Sequence, residues 1–304
     1  MPNFSEGRNE TTIASIAGVF KTAQNVWLLD VHTDPVHNRS VFTTVGAAPD
    51  LAGAVFDAAR LALETIDLGS HKGEHPRIGA VDVIPFISLH TTAESVAVGT
   101  ARSLGKRLGN VLGLPVFLYG TAARGPDPVA LPEVRRRGFE WLRDQMARES
   151  VPKPDFGPHR MHPTGGATAV GARDFLVAFN VVLDTPDIRI AKAIAREIRT
   201  RGGGPPGIRA LGFQIGGRVQ VSMNLYDLDR TTPRVALNLI KSKAGNARVS
   251  VLSSEIVGLM PEKAISDLGS DDDLLLSVPV ETRLLEPRLR SLGLMTEPDL
   301  SGGD

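Results

Sequence analysis

Six of the seven histidines in this 304-residue chain fall in polar loops as pairs: His32 and His37, His71 and His75, His159 and His162. Only His90 stands alone. A structural histidine is more often a single ring satisfied by one backbone hydrogen bond, whereas paired rings beside charged residues, glycines and prolines suit a site. Taken singly, each of them is still better read as structural. Together they offer proton transfer, because an imidazole with an ordinary pKa of about 6.5 can both donate and accept near neutral pH. The middle pair, His71-Lys72-Gly73-Glu74-His75, also matches H-x-x-E-H, the inverted zinc-peptidase pattern. That pattern works only on a helix, where residues four apart share a face. Gly73 weakens a helix by about 1 kcal/mol relative to Ala, and Pro76 biases His75 away from helical dihedrals. The segment reads as an extended loop entering a strand at Ile78, and the zinc reading is set aside.

Two glycine-rich stretches invite comparison with ligand loops. Gly166-Ala167-Thr168-Ala169-Val170-Gly171 has the glycine spacing of a phosphate-binding loop, but Ala172 and Arg173 replace the required Lys and Ser/Thr. It also precedes a strand rather than a helix, so nucleotide hydrolysis is excluded. Gly202, Gly203 and Gly204 lie between a helix and a strand and read as a connection. The basic run Arg135-Arg136-Arg137 reads as solvated surface. Composition narrows the field further. The 34 Lys+Arg balance 34 Asp+Glu, which disfavours nucleic-acid or anionic-membrane binding. The absence of Cys removes disulfides, thiolate nucleophiles and Cys-ligated metals. No targeting sequence or spanning apolar run is visible, so a soluble cytoplasmic protein is the expectation.

These loops need elements to hold them. Ile13, Ile16, Ala17 and Phe20 share one helical face, with Asn9 upstream as cap. Val26–Val31 and Ser40–Val45 read as strands. Asp50 is expected to cap a helix burying Leu51, Val55, Ala58, Leu61 and Ala62. Ile78–Leu89 reads as a strand interrupted near Pro85, followed by a helix near Thr92–Leu112, a strand at Val116–Tyr119 and a helix at Glu140–Glu149. Beyond residue 172 the periods give a strand (Phe175–Leu183), a helix (Asp187–Thr200), a hairpin turning at Gly216-Gly217, a helix (Thr232–Ala244) and a strand (Val249–Val257). That order is β-α-β-β-α-β, the ferredoxin-like unit. The first half repeats it if a strand precedes Thr11, with an extra helix and strand appended. The expected fold class is α+β, with two ferredoxin-like subdomains, residues 1–172 and 173–304. The tail after Leu259 carries one apolar cluster, Leu274-Leu275-Leu276, and a frayed end.

Several segments resemble the glutamate formimidoyltransferases. They are Pro2-Asn3-Phe4-Ser5-Glu6-Gly7, Asn38-Arg39-Ser40-Val41, the ten residues from His71 to Ala80, Pro154-Asp155-Phe156-Gly157-Pro158 and Gly166-Ala167-Thr168. The resemblance continues through Phe175–Asn180, Gln220–Leu225 and Ser254–Leu259, so it spans residues 2 to about 261. Its most specific part begins at His71. Members begin several residues upstream, with a strand leading into Pro2, so a truncated first strand or a late start assignment is expected. Some members have an acid where His32 stands; the nearest acids here are Asp30 and Asp34.

The resemblance implies transfer of the formimino group of N-formimidoyl-L-glutamate to N5 of tetrahydrofolate, in histidine degradation, between two subdomains that enclose a folate-binding groove. It implies His75 as the catalytic acid/base, supported by Glu74, Asp34 or His32. It assigns folate binding to Gly157, Pro158, His159, Arg160, Met161, His162, Pro163, Thr164, Gly165 and Gly166. On composition alone that stretch reads equally well as a linker or as a cradle for a flat ligand. Lys72 and Arg77 are candidates to grip substrate carboxylates, solvated surface being the plainer reading. No tightly bound cofactor or metal is expected, tetrahydrofolate or its polyglutamate being a co-substrate, and the resemblance suggests a homodimer. Animal relatives carry a fused cyclodeaminase, for which 304 residues leave no room. The alternatives are a one-carbon transferase using N-formylglutamate or another formimidoyl amino acid, and a non-catalytic folate-binding protein.

Overall fold

The computed structural model describes residues 1–89, 93–124, 135, 137–151, 153–268 and 274–296. His90, Arg136 and the last eight residues lie outside the described residues. The chain divides into two compact units, Met1–Asp174 and Phe175–Asp304, each built around its own sheet.

In the first unit, β1 (Asn3–Phe4), α1 (Glu10–Thr22), β2 (Val26–Asp34), β3 (Arg39–Gly46), α2 (Ala48–Thr65) and β4 (Val81–Phe86) give the expected β-α-β-β-α-β order. A strand does precede α1, and it is short: its two residues sit between β3 and β4, antiparallel to both. Asn9 caps α1 by accepting a hydrogen bond from the Thr12 backbone N–H, as its residue type favours. Asp50, by contrast, caps nothing. Pro49 suits the first helical turn, the helix starts at Ala48, and Asp50 sits inside that turn, accepting from Asn25. Pro85 does not interrupt β4 either. The strand runs one residue past it, because β1 pairs only as far as Val83 and leaves that side of Pro85 without a ladder.

Beyond β4, α3 (Glu94–Leu112), β5 (Val116–Gly120), α4 (Gly138–Ala147) and β6 (Thr168–Ala172) extend the sheet, giving the order β2-β3-β1-β4-β6-β5. Strand β6 lies parallel between β4 and β5. Its small residues, Thr-Ala-Val-Gly-Ala, hide it from strand propensity, yet every one is buried. One face of the sheet packs on α1, α2 and α3 through Phe4, Phe20, Phe42 and Leu104. On a second cluster, α4 contributes Leu142 and Met146 against Val83, Phe117 and Tyr119.

The second unit follows the predicted order closely: β7 (Val177–Leu183), α5 (Ile188–Ile198), β8 (Ile208–Ile215), β9 (Arg218–Leu225), α6 (Pro233–Asn246) and β10 (Val251–Val257). Asp187 and Thr232 cap the two helices. The sheet order β10-β7-β9-β8, antiparallel throughout, is that of the ferredoxin-like unit. The tail does more than its apolar cluster suggested. Met260, Leu274 and Leu284 join the core, and a short helix α7 (Leu285–Ser291) follows. No described helix is long and apolar enough to cross a membrane.

Candidate active site

The turn between β2 and β3 is the floor on which the His71–Arg77 loop is laid. Asp34 closes this turn: its Oδ1 accepts hydrogen bonds from the backbone N–H groups of Val36 and His37, both at 2.8 Å. Asn38 follows with positive φ, a conformation Asn tolerates better than most residues. Its side chain binds in two directions, accepting from the Gly7 N–H at 2.9 Å and donating to the Lys72 carbonyl at 3.1 Å. Its backbone carbonyl accepts from His71 Nε2 at 2.9 Å. The two segments approach so closely at Gly73 that a Cβ there would lie 2.2 Å from the His37 carbonyl oxygen.

Residues 71–77 form no helix, and the rings of the H-x-x-E-H pattern turn to different carbonyls. His71 reaches Asn38, whereas His75 Nδ1 lies 2.9 Å from the oxygen of Pro76. A carbonyl only accepts, so this contact places the neutral ring's proton on Nδ1 and makes Nε2 its proton acceptor. The ring meets that of His37 edge to face, with centroids 5.7 Å apart. His37 is buried, and its Nε2 lies 3.8 Å from Asp34 Oδ2.

Beneath this loop is a buried charge cluster. Asp82 on β4 is fully buried; its Oδ1 accepts from the Ile78 N–H at 2.9 Å, and its Oδ2 binds the guanidinium groups of Arg39 and Arg135. Arg135 also donates to the Pro76 carbonyl at 2.9 Å, the same oxygen that His75 Nδ1 contacts. Burial alone would raise the Asp82 pKa, but Arg135, Arg39 and the Ile78 N–H hold it far below the usual carboxylate range. The same surroundings act oppositely on His75. Burial, then the charges of Arg39 and Arg135, push its pKa well below the ordinary value, with Asp82 opposing and His37 adding slightly.

The Gly157–Gly166 stretch belongs to the same unit and ends against residues 78–80, which lead from the histidine loop into β4. His162 and Gly166 exchange backbone hydrogen bonds at 3.0 Å, and His162 Nδ1 accepts from the Gly165 N–H. Gly166 needs its positive φ there, and a Cβ would lie 2.1 Å from the Ile78 carbonyl. Gly165 and Ala167 then bond to Ala80 and Ile78 respectively. Met161 packs against the α4 cluster, while Arg160, Pro163 and Thr164 are exposed. His159 buries Nε2 with no hydrogen-bond partner among the described residues. Gly157 and Pro158 follow Phe156, whose carbonyl accepts from the Val116 N–H.

The structure thus brings together His75, Asp34 and the Gly165–Gly166 turn around the segment 71–80. Asp34 touches the turn and His37, whose ring in turn meets His75. Glu74 is exposed, its backbone N–H bonded to Val36, and His32 is buried on β2 opposite Val41. Lys72 is exposed, whereas Arg77 pairs with Glu140 and the His71 carbonyl. The solvated reading of the basic run fails at Arg135, which turns inward because Asp82 and Pro76 offer it acceptors; Arg137 stays exposed over the Trp141 ring. From the sequence, Arg39, Arg135 and Asp82 take no site role, and His37 stands only as half of a loop pair. The signal for Asp82 was present: a single acid inside the apolar run Ala80–Phe86. Among the described residues no group of three or more His, Asp or Glu is placed to hold a metal.

Residues 1–173 match the family described as "Formiminotransferase domain, N-terminal subdomain", and residues 178–271 match "Formiminotransferase domain". The chain is 42% identical to a glutamate formimidoyltransferase of Thermoplasma acidophilum, over 88% of this chain and 89% of the relative. It is 41% identical to the Streptococcus pyogenes protein of the same name, over 88% of this chain and 90% of that one. It is also 38% identical to the formimidoyltransferase-cyclodeaminase of Sus scrofa, where the match takes in 89% of this chain but 51% of the relative.

Proposed function

Because the chain belongs to the formiminotransferase family, we propose that it moves the formimino group of N-formimidoyl-L-glutamate to N5 of tetrahydrofolate, releasing L-glutamate. The observation that carries this reading is the 41–42% identity, over about nine-tenths of each partner, to proteins named glutamate formimidoyltransferase. The local geometry supports a mechanism in which His75 transfers the proton.

In this mechanism the N5 lone pair attacks the amidine carbon, forming the new C–N bond and passing the C=N π electrons to nitrogen. His75 Nε2 takes the proton that N5 must lose, since Nδ1 faces the Pro76 carbonyl. The resulting imidazolium lies in a site that disfavours its charge, close to Arg39 and Arg135, and so it donates readily. That proton goes to the glutamate nitrogen as its bond to carbon breaks, the electron pair on the other amidine nitrogen re-forms the C=N bond, and His75 returns to its neutral form. Tetrahydrofolate lies along Gly157–Gly166, where glycines permit close approach and His159, Arg160 and His162 supply polar contacts; the partnerless Nε2 of His159 favours this placement.

The test is an absorbance assay for 5-formimidoyltetrahydrofolate, with formimidoyl- and formyl-glutamate supplied in parallel. Transfer from the formimidoyl donor is expected, and no transfer from either would leave a folate-binding role ahead. In His75→Ala, turnover should drop by at least about 10²–10⁴-fold, the usual worth of a placed acid/base, with tetrahydrofolate binding largely retained. Near-normal turnover would remove His75 from this role.

A further inference from the structure

On the reading of His75 as the proton-transfer group, we propose that Asp82 is its positioning residue, acting through Arg135 and the Pro76 carbonyl. Stability alone does not explain why a carboxylate is buried at this position. An apolar set of similar volume is often as stable as a buried ion cluster, since two or three ions must leave water to form one. Asp82 lies fully buried on β4, and each of its oxygens has a separate task. Through Oδ1 it accepts from the Ile78 N–H at 2.9 Å and anchors the end of the loop that carries His75. Through Oδ2 it binds Arg39, whose other amine donates to Asn3 Oδ1 at 2.9 Å, and Arg135. Arg135 then donates to the Pro76 oxygen, on which His75 Nδ1 also rests. One carboxylate therefore fixes the loop end, aims the guanidinium and, through their shared carbonyl, orients the imidazole.

The charges facing His75 come from several elements. Arg39 projects from β3, Asp82 from β4 and Arg135 from the segment before α4, while His37, beside Asp34, comes from the β2–β3 turn. Tyr119 on β5 lies within reach of the charges of Asp82, Arg135 and Arg39. The loop itself carries His71, Lys72, Glu74 and Arg77, the last paired with Glu140 on α4. At the centre one carboxylate stands against two guanidiniums. Removing the carboxylate and removing one guanidinium must therefore act on His75 in opposite directions.

The experiment pairs Asp82→Asn, whose side-chain oxygen can still accept from Ile78, with Arg135→Gln. Each is assayed for kcat and KM across pH, and the His75 ring is titrated by NMR, its signal assigned by its loss in His75→Ala. In Asp82→Asn the acid limb of kcat/KM and the ring titration should both move down by about one pH unit, the low end for losing an opposite charge nearby. The value of kcat should fall at least about tenfold, with KM for tetrahydrofolate little changed, because misaligning a placed group is costly. In Arg135→Gln both pH readouts should move up. A merely structural cluster would lower activity in both variants without this opposed movement. Unmoved titrations, or movement in the same direction, would overturn the proposal. If Asp82→Asn does not fold, an unmoved or lowered ring titration in Arg135→Gln overturns it alone. Normal turnover in His75→Ala would refute the proton-transfer reading instead, and the ring titration would still read the link to Asp82.

Discussion

A histidine that must first take a proton from an amine and then return it to another amine works best when it rests neutral. Three contacts hold His75 in that state: burial, the nearby charges of Arg39 and Arg135, and the Pro76 carbonyl at Nδ1. An unperturbed imidazole would be partly protonated in the pH range where metabolism runs, whereas this one keeps its lone pair to lower pH. The sign for activity follows directly. On the proposed mechanism, protonation of His75 removes the base, and its pKa lies well below 6.5, so kcat/KM should stay flat through pH 6.5 and fall only below it. A pH series with saturating formimidoyl donor and varied tetrahydrofolate checks this. An acid limb at or above 6.5 would contradict the proposed base or its surroundings. His37 extends the constellation, since its ring stands between the Asp34 carboxylate and His75. It was visible in the sequence as half of a histidine pair, but both members are buried, and spacing alone does not tell which of them meets His75.

At the scale of elements, the site depends on how tightly one loop lies on another. The 71–77 loop meets the β2–β3 turn through the His71, Lys72 and Glu74 backbone and side-chain bonds, with Gly73 at the closest approach. Gly73→Ala would put a methyl 2.2 Å from the His37 carbonyl oxygen, and neither segment can yield without moving its histidine. Turnover is expected to fall by about 10²-fold, the usual cost of a displacement near 1 Å, while overpacking removes about 1–3 kcal/mol of stability. Kinetics together with urea unfolding checks both, and unchanged turnover would show that the loop relaxes freely. The sequence foretold that this loop was not helical, because Gly73 and Pro76 forbid it locally. The strand β6 and the inward turn of Arg135 were hidden for the opposite reason. Their roles are set by partners far along the chain: β4 and β5 for the small residues of β6, Asp82 and Pro76 for the arginine. Local propensity carries no record of such partners, and only the isolated acid within β4 hinted at them.

On the scale of the whole molecule, the chain joins two β-α-β-β-α-β units that differ in what titrates inside them. All seven histidines and both tryptophans, Trp27 and Trp141, lie before residue 175. In the folded first unit the pKa values of His75, His71 and His162 all lie below the ordinary imidazole value, chiefly through burial. Its Met1 amine is pushed down to about 4 by burial and Arg173. For each of these groups the unfolded chain binds the proton more tightly, so stability present above the ordinary pKa is lost as pH falls toward the folded one. Asp82 stays ionised and paired through this range, because its own loss comes only below the usual carboxylate pKa. The second unit contains no histidine and lacks this dependence. Lowering pH from 7.5 to 5.5 should therefore weaken the first unit selectively, by about 1 kcal/mol through His75 and by less through His71 and His162, whose partly exposed rings are screened by solvent. Tryptophan fluorescence reports that unit alone, and far-UV circular dichroism reports both. The fluorescence midpoint in urea should fall by about 1 M, while the dichroism transition broadens into two steps, the later one unmoved. If both probes shifted together at both pH values, the two units would be unfolding as one cooperative block, and the acid sensitivity of the histidine loop would be shared by the entire chain.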